Sequence, residues 1–225
     1  MAFQPFDPKA PVRIYFTSLP HWRHDGCTYF VTYRLADSVP TQVIQEWDRE
    51  KTDWLTAHRV KMNAEEGWES AFLSLAEKDR SAFLKHFNRK LNSYLDRGLG
   101  PCVLQDPGCS RIVVEGWEHF NGERYDLGDL VVMPNHVHLL VTPIAGHELE
   151  DILKSRKRQS AREINLLLGR SETLWQKHSF DHIVRNENAL EQFQIYIEDN
   201  PTKAKLKSDQ FRYRAASKSA DGVTK

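Results

Sequence analysis

The sequence has few cysteines, and their arrangement excludes several classes of protein. Its 225 residues include three, Cys27, Cys102 and Cys109, without a CxxC pair. An odd number without close pairing fits neither a disulfide framework nor a zinc site, and favours reduced thiols. The amino terminus lacks a basic segment followed by an apolar one, and no apolar run approaches the ~18 residues of a membrane span. We therefore expect a cytoplasmic protein without a membrane segment.

The chain also lacks an excess of either charge and the glycine-rich loops of nucleotide-binding proteins. Lys and Arg number 31, as do Asp and Glu. Neither a GxxxxGK[ST] nor a GxGxxG motif occurs, which leaves nucleotide use unsupported. The charge is uneven, since residues 151–225 hold 15 basic against 10 acidic side chains. Five basic residues form a stripe without an acid, which fits a solvated helix face or a phosphate-contacting surface: Lys154, Arg156, Lys157, Arg158 and Arg162.

What is present is enough apolar sequence for a folded core. Hydrophobic residues make up 40% of the chain and charged residues 28%, which rules out a disordered or collagen-like protein. Periodicity and turn residues predict strands at 28–35, 125–133, 136–142 and 180–185, and helices at 41–63, 70–95, 106–120, 148–168 and 187–200. With residues 41–97 set aside as an inserted helical hairpin, the order βαββαβα predicts an α+β, ferredoxin-like sandwich with a central antiparallel sheet.

Both ends of the chain are predicted to lie outside this domain. Residues 1–20 are rich in proline and predict an irregular N-terminal arm. Residues 21–206 carry the predicted strands and helices, with the helical insertion at 41–97. Residues 207–225 predict a basic, flexible tail.

The segment His136-Val137-His138 is the first candidate for chemistry. On a strand, side chains at alternate positions point to the same face, so the two imidazoles can share one divalent cation. An HxH motif by itself also fits two ordinary strand histidines.

Tyr196 and Asn200 are the second candidate. They are four residues apart and so lie one turn apart on one side of the predicted helix, beside its apolar stripe. This places them at the edge where the helix meets the sheet. Taken alone, Tyr196 also fits a half-buried core tyrosine, and Asn200 a residue that ends a helix before proline.

Two segments together resemble a known family, the REP-associated tyrosine transposases. These are single-tyrosine members of the HUH nucleases, which are named for a His–hydrophobic–His motif. The segments are VMPNHVHLLV at 132–141 and YIEDNP at 196–201. Supporting matches lie at His21-Trp22, 29–38, Trp175-Gln176 and 180–185, so the resemblance spans roughly residues 20–206.

The resemblance implies a central sheet that carries the HUH motif, and an enzyme that cleaves and rejoins single-stranded DNA near palindromic hairpin repeats. It implies that His136 and His138 bind Mg²⁺ or Mn²⁺, with Asn200 in the position where relatives use glutamine. Such a ligand set is neutral, so we expect weak binding of a hard cation until a phosphate adds its charge. The Tyr196 oxygen would attack the scissile phosphate and give a 5′-phosphotyrosine and a free 3′-OH. Relatives occur as monomers and as swapped dimers, so we expect a monomer or a homodimer.

Other residues are candidates for contacts with DNA. The basic stripe, with Lys203 and Lys205, offers positive charge to phosphates. His21, Trp22 and Arg23 are candidates to stack on unpaired bases. Trp22 fits a core anchor equally well.

Two alternatives stay open at this point. One is a domesticated binder of hairpin DNA that keeps the fold and does not cleave, although His136, His138 and Tyr196 together favour the enzyme. The other is a metal hydrolase of small substrates that uses the two histidines alone. A covalent protein–DNA band that the Tyr196→Phe variant does not form supports the transposase, and binding without such a band supports the binder. Activity that survives Tyr196→Phe supports the hydrolase.

Overall fold

The computed structural model describes residues 3–7, 9, 13–16, 20–60 and 71–216. Its strands are β1 (Arg13–Phe16), β2 (Pro20–Arg23), β3 (Tyr29–Arg34), β4 (Tyr125–Val132), β5 (His136–Pro143), β6 (Phe180–Ile183) and β7 (Arg212–Arg214). Its longer helices are α1 (Thr41–Ala57), α2 (Glu77–Leu95), α3 (Pro107–Glu118), α4 (Leu149–Leu167) and α5 (Glu187–Lys203). A 3₁₀ turn lies at Val103–Gln105, and residues 71–73 are also helical.

A five-stranded antiparallel sheet forms the centre of the molecule, in the order β6-β3-β5-β4-β7. Its first four strands follow the order expected for βαββαβ connectivity, and β7 is an addition at one edge. β5 pairs with β3 on one side and with β4 on the other. The α+β, ferredoxin-like prediction is confirmed, and the strand of the HxH motif is the middle strand.

Alternation along the strands gives the sheet two different faces. On one face, Val31 and Val137 pack with Trp117 of α3 and Ile152 of α4. Phe30 and Leu140 point to the opposite face, where they pack against Ile197 of α5 and its neighbours. Because β3 and β5 are buried on both faces, their apolar residues hold the sheet between α3 and α4 on one side and α5 on the other.

The helices of the predicted insertion have an apolar cluster of their own. Leu55 of α1 packs with Phe83 and Phe87 of α2, and with Phe72 between the two helices. The insertion therefore contributes a folded unit, and α2 ends next to the central sheet.

Two predictions about the N-terminal arm and α5 need correction. Residues 13–16 were expected in an irregular arm, but β1 and β2 form an antiparallel hairpin. The Ile-Tyr-Phe run of β1 consists of strong strand formers, which outweighs the prolines around it. Pro201 was expected to end the last helix, but α5 continues through it to Lys203. A proline in the last turn removes one backbone donor, and Ala204 still donates to the Asn200 carbonyl at 3.0 Å.

The predicted flexible tail contains a strand, which is a third correction. β7 pairs with β4 at the edge of the sheet. Its anchor is Asp129, which is 5% exposed and follows Gly128 where the β4–β5 register shifts. The Asp129 carboxylate accepts hydrogen bonds from the Tyr213 hydroxyl at 2.9 Å and the Ala216 amide at 3.0 Å. It also accepts one from Gln194 of α5 at 3.0 Å, so one side chain joins β7, β4 and α5.

Within the described residues, the structure contains no helix that is both long enough and apolar enough to span a bilayer.

Candidate active site

The two histidines lie side by side on the middle strand of the sheet. β5 pairs His138 with Thr32 of β3 and His136 with Arg34. Both imidazoles are fully buried, and their Nε2 atoms lie 2.9 Å apart. The HxH spacing therefore brings two ring nitrogens to one point.

Hydrogen bonds at the opposite ring nitrogens determine which nitrogen can bind a metal. The Asn135 amide donates to the Leu99 carbonyl at 3.0 Å, so its Oδ1 faces His136 Nδ1, at 2.7 Å. This network assigns the His136 proton to Nδ1 and leaves Nε2 with a lone pair. His138 Nδ1 has a partner of its own, the Thr32 hydroxyl at 2.7 Å. Contacts of this kind orient metal-binding histidines in proteins.

Burial keeps both imidazoles neutral, which is the form that binds metals. It lowers the pKa of His136 to about 3. Burial, followed by the neighbouring His136, lowers the pKa of His138 well below its ordinary value. Two unprotonated nitrogens at 2.9 Å repel each other unless a proton or a cation lies between them.

Tyr196 lies on the same side of the sheet as the histidines, within one chain. Its ring centroid is 5.2 Å from that of His138 and 5.7 Å from that of Phe30. Its hydroxyl is buried and has no hydrogen-bond partner in the part of the chain that the structure describes. The helix that carries the predicted nucleophile thus covers the histidine pair without a second subunit.

The surroundings of Tyr196 keep its phenol protonated. Burial is the main cause that raises the pKa of Tyr196 above its ordinary value. The Asp96 carboxylate raises it further, and Asn200 acts in the opposite direction. A protonated phenol is a poor nucleophile, so a positive charge near the hydroxyl would be needed to activate it.

Asn200 lies one turn after Tyr196 and is 1% exposed. Neither its Oδ1 nor its Nδ2 makes a hydrogen bond of ordinary geometry with a described residue. The amide is nevertheless close enough to lower the pKa of both Asp96 and Tyr196. Buried amides almost always have partners, so these two atoms fit a site that holds a polar ligand or an ion.

Asp96 is a site residue that the sequence did not reveal. It follows the last residue of α2, and its Oδ1 lies 3.6 Å from His136 Nε2. One donor atom each from Asp96, His136 and His138 lie within 4.8 Å of one another. Burial raises the pKa of Asp96 to about 6, against the effects of Asn200 and Lys203. One sequence signal existed, because an acid at the carboxyl end of a helix opposes the helix dipole and needs another reason.

These side chains fit a hard divalent cation. Two adjacent ligands of an octahedral ion, each at ~2.1 Å, lie about 3 Å apart, and the two Nε2 atoms are separated by 2.9 Å. Asp96 adds a negative charge to a set that was predicted to be neutral. The neutral ligand set on which the expectation of weak binding rested is therefore corrected, since carboxylate oxygen is a ligand that Mg²⁺ and Mn²⁺ prefer.

Three of the basic residues predicted to contact DNA have partners within the protein. Arg23 is 4% exposed and pairs with Asp181 at 2.5 Å and with Glu150 at 2.5 Å. Arg156 is 6% exposed and donates to the Gly116 carbonyl at 2.5 Å. Lys157 donates to the carbonyls of residues 176 and 177. Arg23 and Arg156 are buried charges, which need partners within the protein, and the half-buried Lys157 has backbone carbonyls as partners.

The remaining basic candidates divide between two sides of the molecule. Lys154, Arg158 and Arg162 are exposed, but they lie on α4, which covers the face opposite the histidines. Lys203 lies on α5 with its ammonium 6.0 Å from the Tyr196 ring centroid, and Lys205 is exposed just beyond. His21 and Trp22 lie on β2, and their side chains fall outside the described part of the structure.

The sequence around the site matches one known family. Residues 117–200 match the family described as "Transposase IS200 like". Among curated proteins, none matches the chain.

Similar solved structures include one of a REP-associated tyrosine transposase bound to a REP hairpin, with 14% sequence identity, a TM-score of 0.42, and coverage of 84% of this chain and 74% of that one. Another is a protein of Deinococcus radiodurans for which a transposase identity is proposed, with 17% identity, a TM-score of 0.30, and coverage of 77% and 89%. Both TM-scores are too low to carry an assignment. Residues 117–200, which contain both histidines, Tyr196 and Asn200, are similar to the IS200-like transposases, which confirms the resemblance read from the sequence.

Proposed function

We propose that this protein is a metal-dependent single-stranded DNA endonuclease and strand transferase. Its substrate would be DNA near palindromic hairpin repeats, and its intermediate a 5′-phosphotyrosine on Tyr196. The observation that carries the proposal is the position of Tyr196, with its ring 5.2 Å from that of His138 and its buried hydroxyl unpaired among the described residues. A pure DNA binder has no chemical need for this arrangement.

The proposed step is a displacement at phosphorus. The Tyr196 oxygen forms a bond to phosphorus as the bond from phosphorus to the 3′ oxygen breaks. The phenol loses its proton, and the leaving oxygen gains one to become a 3′-OH. Because one phosphodiester replaces another, the reverse attack by a 3′-OH rejoins the strand without an external energy source.

His136, His138 and Asp96 would hold Mg²⁺ or Mn²⁺, with Asn200 beside them. When bound, the cation supplies positive charge to a phosphate oxygen and to the buried phenol. Asn135 and Thr32 keep the two rings oriented, and the cover of α5 restricts the entry of water. Lys203, near the Tyr196 ring, offers a charge to the adjoining phosphate.

Incubation with a labelled single-stranded hairpin oligonucleotide and Mg²⁺ or Mn²⁺ tests the proposal. We expect a covalent protein–DNA band on a denaturing gel, which the Tyr196→Phe and His136→Ala variants do not form. Tyr94→Phe, a half-buried tyrosine on α2, is the matched control and keeps the band.

Binding of the hairpin without a covalent band would contradict the proposal and support the non-cleaving binder. Hydrolysis of small phosphate esters that survives Tyr196→Phe would support the metal hydrolase. A cytoplasmic location and the choice between monomer and homodimer belong to the proposal as well. Sedimentation of the pure protein, with and without the oligonucleotide, measures the latter.

A further inference from the structure

One side of α2 borders a cavity of about 570 Å³, whose other walls come from β6 and α5. The volume falls within the roughly 300–1,000 Å³ that is usual for ligand sites. Asn92 lines the cavity, and Asp96 lies four residues later, directly after the end of α2 and at the candidate metal centre. The cavity therefore leads along α2 toward the site of the proposed chemistry.

The wall formed by α2 carries polar groups without partners. Arg80, Leu84, Asn88 and Asn92 occupy successive turns of the helix, and all four line the cavity. Three buried atoms in this row, Arg80 Nε, Asn88 Oδ1 and Asn92 Oδ1, lack a hydrogen-bond partner among the residues that the structure describes. Buried polar atoms in folded proteins nearly always have one. A row of such atoms along a cavity indicates a ligand that supplies the missing partners.

The opposite wall is aromatic. Phe193 of α5 lies 5.7 Å from His182 of β6 between ring centroids, and it stacks on Phe30 at 4.4 Å. Phe180 of β6 also lines the cavity. Flat rings opposite a row of hydrogen-bonding groups suit a planar ligand with polar edges.

The rim of the cavity is rich in positive charge. Lys85 and Arg89 of α2 and Arg185 after β6 line it and are exposed. The acids that line it are Glu77 and Asp181, and Asp181 is already paired with Arg23. The charge complements a phosphodiester chain rather than a cation or a neutral peptide.

We propose that this cavity binds unpaired nucleotides of single-stranded DNA next to the scissile phosphate, and that Asn88 and Asn92 read their bases. This inference rests on the proposed function, because it is the proposed cleavage by Tyr196 that directs the DNA strand toward that residue. An asparagine amide offers a donor and an acceptor together, which matches the edge of a base. The aromatic wall stacks bases of any type, and the rim holds phosphates. Sequence preference would then come from the insertion helix.

Selection from a hairpin oligonucleotide library with six randomised unpaired nucleotides beside the stem tests this role. The selection uses the Tyr196→Phe protein with Mg²⁺, so that binding is measured without cleavage. We expect a preferred unpaired sequence. Asn88→Ala combined with Asn92→Ala should lower the enrichment of that sequence roughly tenfold at one or two positions. Ser93→Ala, exposed on α2 outside the cavity, is the control and keeps the preference.

Equal enrichment in the double variant and the control would overturn the role of the asparagines, provided that thermal melting shows all variants folded. Absence of any single-stranded preference in the parent protein, or a stronger preference for RNA of the same sequences, would overturn the proposal for the cavity. The Asn88→Asp variant adds a second check, since a new negative charge should weaken binding of every sequence. The covalent-adduct assay, which uses intact Tyr196, tests the proposed function separately.

Discussion

The Asp96 carboxylate reaches to 3.6 Å from His136 Nε2, although Asp96 follows the inserted helix α2 and His136 begins the middle strand of the sheet. Burial raises the pKa of Asp96 to about 6. The position has a cost, because an isolated carboxylate in a partly buried site is destabilised when it is charged.

The Asp96→Asn variant should therefore stabilise the metal-free protein at neutral pH. The raised pKa means that the native state disfavours the charged form. Its stability falls as pH rises from about 4 through 6, and the cost is fully present above that range. We expect Asp96→Asn to raise the free energy of unfolding by roughly 1–3 kcal/mol at pH 7.5 in the presence of a chelator, and to have little effect near pH 4. Urea unfolding measures it, with the exposed Asp53→Asn as control.

With Mn²⁺ added, the unmodified protein should become more stable than Asp96→Asn, because its carboxylate then has a cation beside it. Asp96→Asn should bind Mn²⁺ about ten-fold to 100-fold more weakly, measured by calorimetry. Metal affinity of the unmodified protein should fall as pH drops through about 6, where Asp96 takes up a proton. An affinity that is unchanged by Asp96→Asn would remove this residue from the ligand set.

Asn135 should control metal binding without touching the ion. Asn135→Ala removes the acceptor that fixes the proton on His136 Nδ1, and Thr32→Val removes the partner of His138 Nδ1. Each variant should weaken Mn²⁺ binding about 10–100-fold while the protein still melts cooperatively. Asn165→Ala, on the far side of the sheet, serves as the comparison and should leave affinity unchanged.

Asp129 should be among the most important polar residues for stability. Its carboxylate accepts hydrogen bonds from Tyr213, Ala216 and Gln194, so Asp129→Ala leaves these donors without their acceptor. We expect a loss of roughly 2–4 kcal/mol in urea unfolding, and faster proteolysis after residue 206. Asp126→Ala, on the same strand, should change stability far less. An equal loss of stability in Asp126→Ala and Asp129→Ala would show that the hydrogen bonds of Asp129 contribute little to stability.

Removal of one partner of the Arg23–Asp181 ion pair should destabilise the protein strongly, whereas replacement of both partners by apolar residues should cost little. Arg23→Met leaves the buried Asp181 carboxylate without its main partner and should cost roughly 3–5 kcal/mol. Combining Arg23→Met with Asp181→Leu should recover most of that loss. A double variant no more stable than Arg23→Met would contradict the expected coupling.

Salt dependence should separate the basic residues near the tyrosine from those on α4. Each phosphate contact with a single strand contributes about −0.7 to the slope of log affinity against log salt. Lys203→Gln should reduce the slope by about that amount, because Lys203 lies beside Tyr196. Arg158→Gln, on the opposite side of the sheet, should leave it unchanged. An equal change of slope for Arg158→Gln would show that the basic residues of α4 also contact DNA.

The fold and the histidine–tyrosine relationship could be predicted because they depend on local pattern. The alternation around His136 and His138 fixes their common face, and the four-residue spacing of Tyr196 and Asn200 fixes theirs. The order of strands and helices then limits the ways in which the two pairs meet.

The position of Asp96 beside the histidines and the burial of part of the basic stripe depend on long-range packing, which the sequence pattern does not encode. Asp96 reaches the histidines only because of how the insertion docks on the sheet. Arg156 and Lys157 share a helix with Arg158 and Arg162, and helical position alone did not show which of them turn inward to backbone carbonyls. The strand at 212–214 was missed because two arginines around one tyrosine carry no apolar alternation, and their pairing with β4 is a long-range contact supported by the Asp129–Tyr213 hydrogen bond.

The middle strand has neighbours on both sides, while Tyr196 and Asp96 approach it on two helices that are joined to the sheet by separate connections. The imidazoles consequently lie on a strand that is paired on both sides, whereas the positions of Tyr196 and Asp96 depend on how α5 and α2 pack against the sheet. We expect hydrogen exchange to be slowest in β5 and faster in α2 and α5, so that local opening of the two helices would expose the imidazoles while their strand stays paired.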